Sequence, residues 1–441
     1  MKKMKKIMAG STAAALVLGL AACGGAPAED TDSGAAEGEL SGKVTVWTAS
    51  LAGEPFDSYF ADIEAEFETM HPDVDIVIED IPQGEMEQKV LTSLTSNDVP
   101  DVVNLNPHFM SNIAAQGGLL DLTGKLSEGT ETMYVEGPFE AGKYDEGLYA
   151  LPWYLTTTVS WYNGANFEAA GVSELPTTPM DLYETAKKVT DATGKPAYYP
   201  VINDGNAIME KMVTLAGGDD IVTDGVASFA DNAAILEYFE VAQKMYAEGI
   251  IPQEAAEGSI KTGQELYMAG NTSLIEGGVT FLGPVESGAP EIYNASKAGQ
   301  PIAAADAPVN VAVMNFAVPS KTDNEAAAIA FTEFITNDVN QLEFAKVAGT
   351  VLPSTTAALE DSYFTEPGDS PKALGMKQAA EALDRAEVLI PPTENSAELR
   401  DATKTIFVKT LQGAMTPQDA LTELEAQWNA AFEKTGETVS F

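Results

Sequence analysis

The chain has 441 residues, 45% of them hydrophobic, enough for two or three core-building units. Acidic residues outnumber basic ones 67 to 24, a formal charge of −43 at pH 7, and only two arginines occur, Arg385 and Arg400. That balance excludes nucleic acid as a partner, since phosphate binding needs clustered Lys and Arg; it disfavours an anionic ligand and reads as a solvated, soluble surface.

Lys2, Lys3, Lys5 and Lys6 precede an apolar stretch from Ile7 to Leu20. At ~1.5 Å rise per residue it is too short to span ~30 Å of hydrocarbon, so residues 1–22 read as an export signal. Leu20-Ala21-Ala22-Cys23 resembles the lipobox of bacterial lipoproteins, which implies that Cys23 is diacylated and becomes the new N-terminus. The alternative is a plain signal peptide with a stray cysteine. Removing the four lysines takes the formal charge to −47. Residues 23–41 hold no large apolar side chain before Leu40, and predict a flexible acidic tether behind the lipid.

Lys43 to Thr48 alternates with strand period, and Phe56, Phe60, Ile63, Phe67 and Met70 fall at helical spacing before Pro72. Val74 to Ile78 is strand-like, Glu85 to Ser96 helical, and Asp101 to Leu105 a short strand of the buried type. This alternation predicts an α/β fold with a largely parallel sheet. A β-rich run, Tyr154 to Asn163, opens a second block. A helix follows that begins with Thr178, Pro179 and Asp181 at its N-cap, first position and first turn; Thr416-Pro417-Gln418-Asp419 repeats that grammar. Val309 to Val318 is β-type, Glu325 to Thr336 helical, and the chain from Ser370 onward mainly helical.

Six segments together resemble the family 1 extracellular solute-binding proteins, the maltodextrin and multiple-sugar type that serve ABC importers. They are KVTVWTAS (43–50), VPDVVNLNPHF with GGLLDLT (99–123), GLYALPWYLTTTVSWYNGANFEAAGV (147–172), MAGNTSLIEGG (268–278), FAVPSKTDNEAAAIAFTEFI (316–335) and AGTVLPS (348–354). Two positions depart from the family pattern: Thr178-Pro179-Met180-Asp181-Leu182 replaces a Thr-Trp-Asp-Glu-Leu, and Gly277-Gly278-Val279 stands where a Gly-Pro-Trp often follows. The resemblance implies a two-lobed periplasmic-binding-protein-like α/β fold of type II, with a ligand cleft between discontinuous lobes. The lobes would be 42–153 plus 304–358 and 154–303 plus 359–441, with crossings near Leu151 to Tyr154, Gln300 to Pro308 and Ala357 to Tyr363.

A neutral sugar offers hydroxyl edges and flat C–H faces, so its site needs in-plane donors and acceptors with aromatic rings above and below. Ligands gather beyond the carboxyl ends of sheet strands. That points to Trp47 and Ser50 after the first strand, Ser50 slightly favoured because Trp47 fits a core equally well, and to Asn106 and His108 after Leu105. For His108 a plain loop role is equally open, and His71 beside Pro72 reads as structural. One of Trp153 and Tyr154 should face the cleft. Tyr154, Thr156, Thr158 and Ser160 share one side of that strand, whereas Trp153, Leu155, Val159 and Trp161 share the more apolar one, which makes Trp161 a core residue.

The resemblance adds Asp204, Asn206, Glu276, Phe281 and Arg400 from the second lobe, with Phe281 able to replace the missing tryptophan. By chemistry alone Asp204 and Asn206 equally suit an Asx turn, and Arg400 a surface ion pair. With two histidines, no HExxH and no second cysteine, neither metal nor cofactor is expected. The reading is a lipid-anchored, monomeric, non-enzymatic receptor on the outer face of a Gram-positive membrane. It captures a neutral mono- or oligosaccharide and delivers it to an ABC permease; a surface glycosidase or a glycan-binding adhesin are the alternatives.

Overall fold

β1 (Gly42–Ala49), α1 (Phe56–Met70), β2 (Val74–Ile81), α2 (Gln83–Ser96), β3 (Val102–Leu105) and α3 (Pro107–Ala115) form an alternating block in which β1 pairs in parallel with both β2 and β3. The computed structural model describes residues 40–96, 99–202, 205–304, 306–366 and 368–441. Cys23 and all of the tether before Leu40 lie outside them. In α1 the helical spacing buries Tyr59, Phe60, Ile63 and Phe67, whereas Met70 at the open end of the helix stays half exposed.

The chain continues through β4 (Ala150–Thr157) and β5 (Val159–Asn163) into α4 (Pro179–Thr193). The Thr178 hydroxyl accepts from the Asp181 N–H at 3.1 Å, a cap worth ~1 kcal/mol, and Gly194 closes the helix with φ 69°. Next come β6 (Tyr198–Tyr199), α5 (Asn206–Ala216), α6 (Ala233–Ala247), α7 (Ile260–Met268), β7 (Leu274–Gly277) and β8 (Ser296–Gly299). β9 (Val309–Ala317), α8 (Glu325–Ile335), α9 (Asp338–Ala348) and β10 (Leu352–Pro353) follow. The chain ends with α10 (Pro371–Glu381), β11 (Ala386–Glu387), α11 (Ser396–Leu411) and α12 (Pro417–Thr435).

The strands named so far build the two larger sheets, one for each lobe; two further two-stranded hairpins stand apart. The first runs β10-β4-β9-β3-β1-β2, with β11 also on β9; the second runs β8-β5-β7-β6. The largely parallel sheet expected from the sequence is corrected to two mixed sheets, because β9 is antiparallel to β3 and β4, and β5 to β7 and β8. The physical cause is the crossing itself: the chain leaves the first sheet along β4 and returns along β9, so the two must run in opposite directions.

Thr158 alone separates β4, in the first sheet, from β5, in the second. β4 stays hydrogen-bonded in the first sheet as far as Thr157, opposite Val311. The second crossing joins β8 to β9. On the third path the chain leaves β10, and α10 then packs on the second sheet, where the tip of the Trp161 indole comes so close to Gly375 that a Cβ there would meet it at 2.1 Å. The Trp161 indole N–H donates to the Gly277 carbonyl at 3.1 Å, and the residue is fully buried, the core role its strand face predicted.

Candidate functional site: a pocket at the crossing strands

β6 and β7 are parallel, so their carboxyl ends open on the same side. There a cavity of about 240 Å³ is walled by Tyr198, Tyr199, Tyr238, Val201, Ile208 and Ile260, and reaches Thr158, Val309 and Asn310 of the crossing segments. Pockets for drug-sized ligands run ~300–1,000 Å³, so this one suits a single ring or the end of a longer ligand. The tyrosines give it flat apolar faces. Burial pushes the Tyr199 phenol up to about 12 and those of Tyr198 and Tyr238 higher still, which keeps all three neutral at pH 7.

Three charged residues line the cavity, Glu210, Lys211 and Glu276, and the last two pair on its floor. The Lys211 ammonium sits 2.9 Å from Glu276 Oε1, the two side chains 14% and 12% exposed. The same carboxylate oxygen accepts from the Ile302 N–H at 2.9 Å, and Lys211 donates to the Ile302 carbonyl at 2.8 Å. Behind the pair lies a cavity of about 10 Å³, bounded also by Tyr198 and Tyr238.

In the first lobe, Ser50 follows β1 with φ 57°, a left-handed conformation uncommon outside glycine and frequent at ligand sites. Its hydroxyl accepts from the Gln83 N–H at 2.8 Å, which holds the loop after β1 against the start of α2. Asp80 shapes the same loop by accepting from the Thr48 hydroxyl at 2.9 Å and from the Leu51 N–H at 2.7 Å. Beside it an open groove of about 630 Å³ runs along α2, lined by Trp47, Glu85, Gln88 and Lys89 among others.

The candidates from the sequence divide accordingly. Trp47 is 7% exposed, and the Lys89 ammonium lies 4.0 Å from its ring centroid, so only an edge of the indole meets the groove. Asn106 caps α3, its side-chain oxygen accepting from the Phe109 N–H at 2.9 Å, while half-buried His108 sits 3.3 Å from the Asn112 amide. Tyr154 and Thr156 are half-buried on the more open side of β4, but of that row Thr158 is the one that lines the cavity.

Trp153, the other aromatic candidate at this strand, sits in the core. It is fully buried, its ring centroid 4.2 Å from that of Phe344 and 4.6 Å from that of Phe316. Phe281 is 5% exposed and packs edge-on against Tyr267. Glu276 lines the pocket, yet its carboxylate is turned onto Lys211 and Ile302. Asn206 donates to Glu210 across the first turn of α5. Asp204 lies outside the described residues. Arg400 is half-buried beside Gly205 and, among the described residues, pairs with no carboxylate.

Lys211, the three pocket tyrosines and Asp80 were missed. Lys211 stands beside Glu210 among Ile208, Met209, Met212 and Val213, so its local pattern is that of an ordinary helix face; Tyr198 and Tyr199 were hidden because their strand has only two residues, and Tyr238 reads as a core position of α6. Among the described residues no group of three or more His, Cys, Asp or Glu could hold a metal ion.

Residues 50–342 match the family described as bacterial extracellular solute-binding protein. The chain belongs to that family. Among curated members of this solute-binding family, the diacetylchitobiose-binding protein DasA of Streptomyces coelicolor is 28% identical over 278 residues, 62% of this chain and 63% of its own length. The galactooligosaccharide-binding protein of Bacillus subtilis is 25% identical over 63% of this chain and 64% of its length. The alignments thus span just under two thirds of these relatives. Among solved structures, one described as an oligosaccharide periplasmic-binding protein from Synechococcus sp. MITs9220 superimposes with a TM-score of 0.75 at 29% identity, covering 89% of this chain and 99% of that one. The cyclic α-maltosyl-1,6-maltose-binding protein of Arthrobacter globiformis shares the fold, with a TM-score of 0.76 at 22% identity over 89% of this chain and all of its own. The family and these neighbours are binding proteins with the two-lobed fold.

Proposed function

We propose that this solute-binding protein captures a neutral oligosaccharide, holds one terminal ring in the tyrosine-lined cavity, and delivers it to an ABC permease from the outer face of a membrane to which Cys23 is lipidated. The observation that carries the proposal is the position of the cavity: it touches the ends of β6 and β7 and also Thr158, Val309 and Asn310 of the crossing segments. A ligand there bears on the segments that must bend when two lobes close, and ligand that contacts both lobes favours the closed form.

The chemistry supports a neutral ligand. The one lysine on the cavity floor is already paired, and the walls are aromatic and aliphatic, matched to the C–H faces of a sugar ring. Relatives named for diacetylchitobiose and galactooligosaccharide support the saccharide class. Ser50, Asn106, His108 and Arg400 are proposed to meet the remainder of the ligand. The test is a thermal-shift and calorimetric screen of neutral di- to tetrasaccharides, including N,N′-diacetylchitobiose and maltotriose. A saturable rise in melting temperature with at least one of them is expected; no response across the panel would sink the reading.

A further inference from the structure

The second crossing, from β8 to β9, is held from two sides. On one side, both backbone polar groups of Ile302 go to the Lys211–Glu276 pair: its N–H to Glu276 at 2.9 Å, its carbonyl to Lys211 at 2.8 Å. Ile302 is itself 3% exposed. On the other side, the Arg385 guanidinium, just after α10, donates to the Ala304 carbonyl at 3.2 Å, to the Ala307 carbonyl at 2.7 Å and to Gln300 Oε1 at 3.2 Å. Gln300 in turn donates to the Gln378 carbonyl of α10 at 2.9 Å. Such bonds to charged groups in a sheltered place are stronger than neutral ones, and a planar guanidinium serving three acceptors is stiff.

We infer that Lys211 and Glu276 are positioning residues: they latch the crossing at Ile302 to the second lobe, so that on the first two crossings bending is confined to the short stretches around Thr158 and after Ala307. This rests on the binding reading above only for its consequence, that a ligand on the cavity floor presses on the latch and so on the crossing. The pair does not need to touch the ligand to act. Glu276 sits at the end of β7 and Lys211 on α5, so the two also fix the angle between that sheet and that helix at the cavity wall.

The latch itself is tested without ligand, by hydrogen exchange of peptides covering 299–308 in the full chain. In Lys211→Met the peptide containing Ile302 should exchange at least tenfold faster, while peptides of α6 keep their rates and Lys211→Arg restores most of the protection. The double variant Lys211→Met/Glu276→Met removes both charges, so it keeps the test open if the single variant folds poorly; its melting temperature should recover while the crossing still exchanges fast. Unchanged exchange at 299–308 in the double variant, or a loss of protection spread evenly over the lobe, overturns the inference. With N,N′-diacetylchitobiose or maltotriose, small-angle scattering then reads closure. The latch predicts that the double variant needs at least tenfold more of whichever sugar compacts the parent protein, and an unshifted midpoint counts against it. If no sugar compacts the parent, the saccharide reading fails while the exchange result still decides the latch.

Discussion

Gly205 and Arg400 are in backbone contact: a Cβ built on Gly205 would stand 2.1 Å from the Arg400 carbonyl oxygen. Gly205 also has φ 77°, where side chains with a Cβ are strained. The contact joins the residue before α5, two positions from Ala207 of the cavity wall, to α11, and so sets where the Arg400 side chain starts. Gly205→Ala must push one of these backbones away. Its cost should be about 1–3 kcal/mol, of the size seen for a residue forced into a disfavoured backbone region, together with at least a tenfold loss of sugar affinity. Urea unfolding and calorimetry measure the two effects; wild-type affinity in a destabilised variant would separate the contact from the site.

Arg400 itself should behave in the opposite way. Because no carboxylate pairs with it among the described residues, Arg400→Gln leaves no partner stranded. Stability should move by no more than ~0.5 kcal/mol, as for other changes that break no buried interaction. Affinity for the sugar should fall about tenfold. A melting temperature that drops several degrees while binding is intact would return Arg400 to a structural role.

Trp153 separates packing from recognition. Its indole lies among Phe60, Tyr154, Phe316 and Phe344, fully buried. Trp153→Ala should cost ~3–5 kcal/mol, the range for emptying a buried aromatic site. Trp153→Phe should bind sugar within a factor of about three of the parent, because no face of this ring is open to a ligand. A binding defect in the Phe variant without a stability defect would contradict the core assignment.

How much of this was legible in the residues depends on how local each signal is. The strand and helix at 42–70 and the caps at Thr178 and Thr416 depend on neighbours a few positions away, and they stand where their spacing put them. The alternation on β4 also told Trp153 from Tyr154 by face, and it fails only in the step from an aromatic residue near a crossing to one in the site. What spacing does not carry is partnership between distant segments. Glu276 was visible as a cleft carboxylate, but its bond to Ile302 depends on how the crossing folds back across the lobe, and Lys211 is 65 positions away from it. The same holds for strand direction, since nothing local to Val309–Ala317 says that it returns antiparallel to β4.

The buried tyrosines set a limit on alkaline stability. Burial pushes Tyr154 and Tyr199 up to about 12, against an ordinary value near 10, and raises Tyr59, Tyr134, Tyr198, Tyr238 and Tyr267 as well. Between about pH 10 and 12 the folded chain therefore keeps protons that the unfolded chain has released. A raised folded value means that the stabilisation is complete below pH ~10 and is lost as the pH climbs toward the folded value. The urea midpoint should be level with respect to these groups from pH 7 to 9 and fall steeply from pH 10 to 11. In Tyr154→Phe, which has no phenol to ionise at that position, the fall should be shallower. Midpoints taken at half-unit intervals read the slope directly, and equal slopes in the two proteins would show that Tyr154 does not hold its proton through burial.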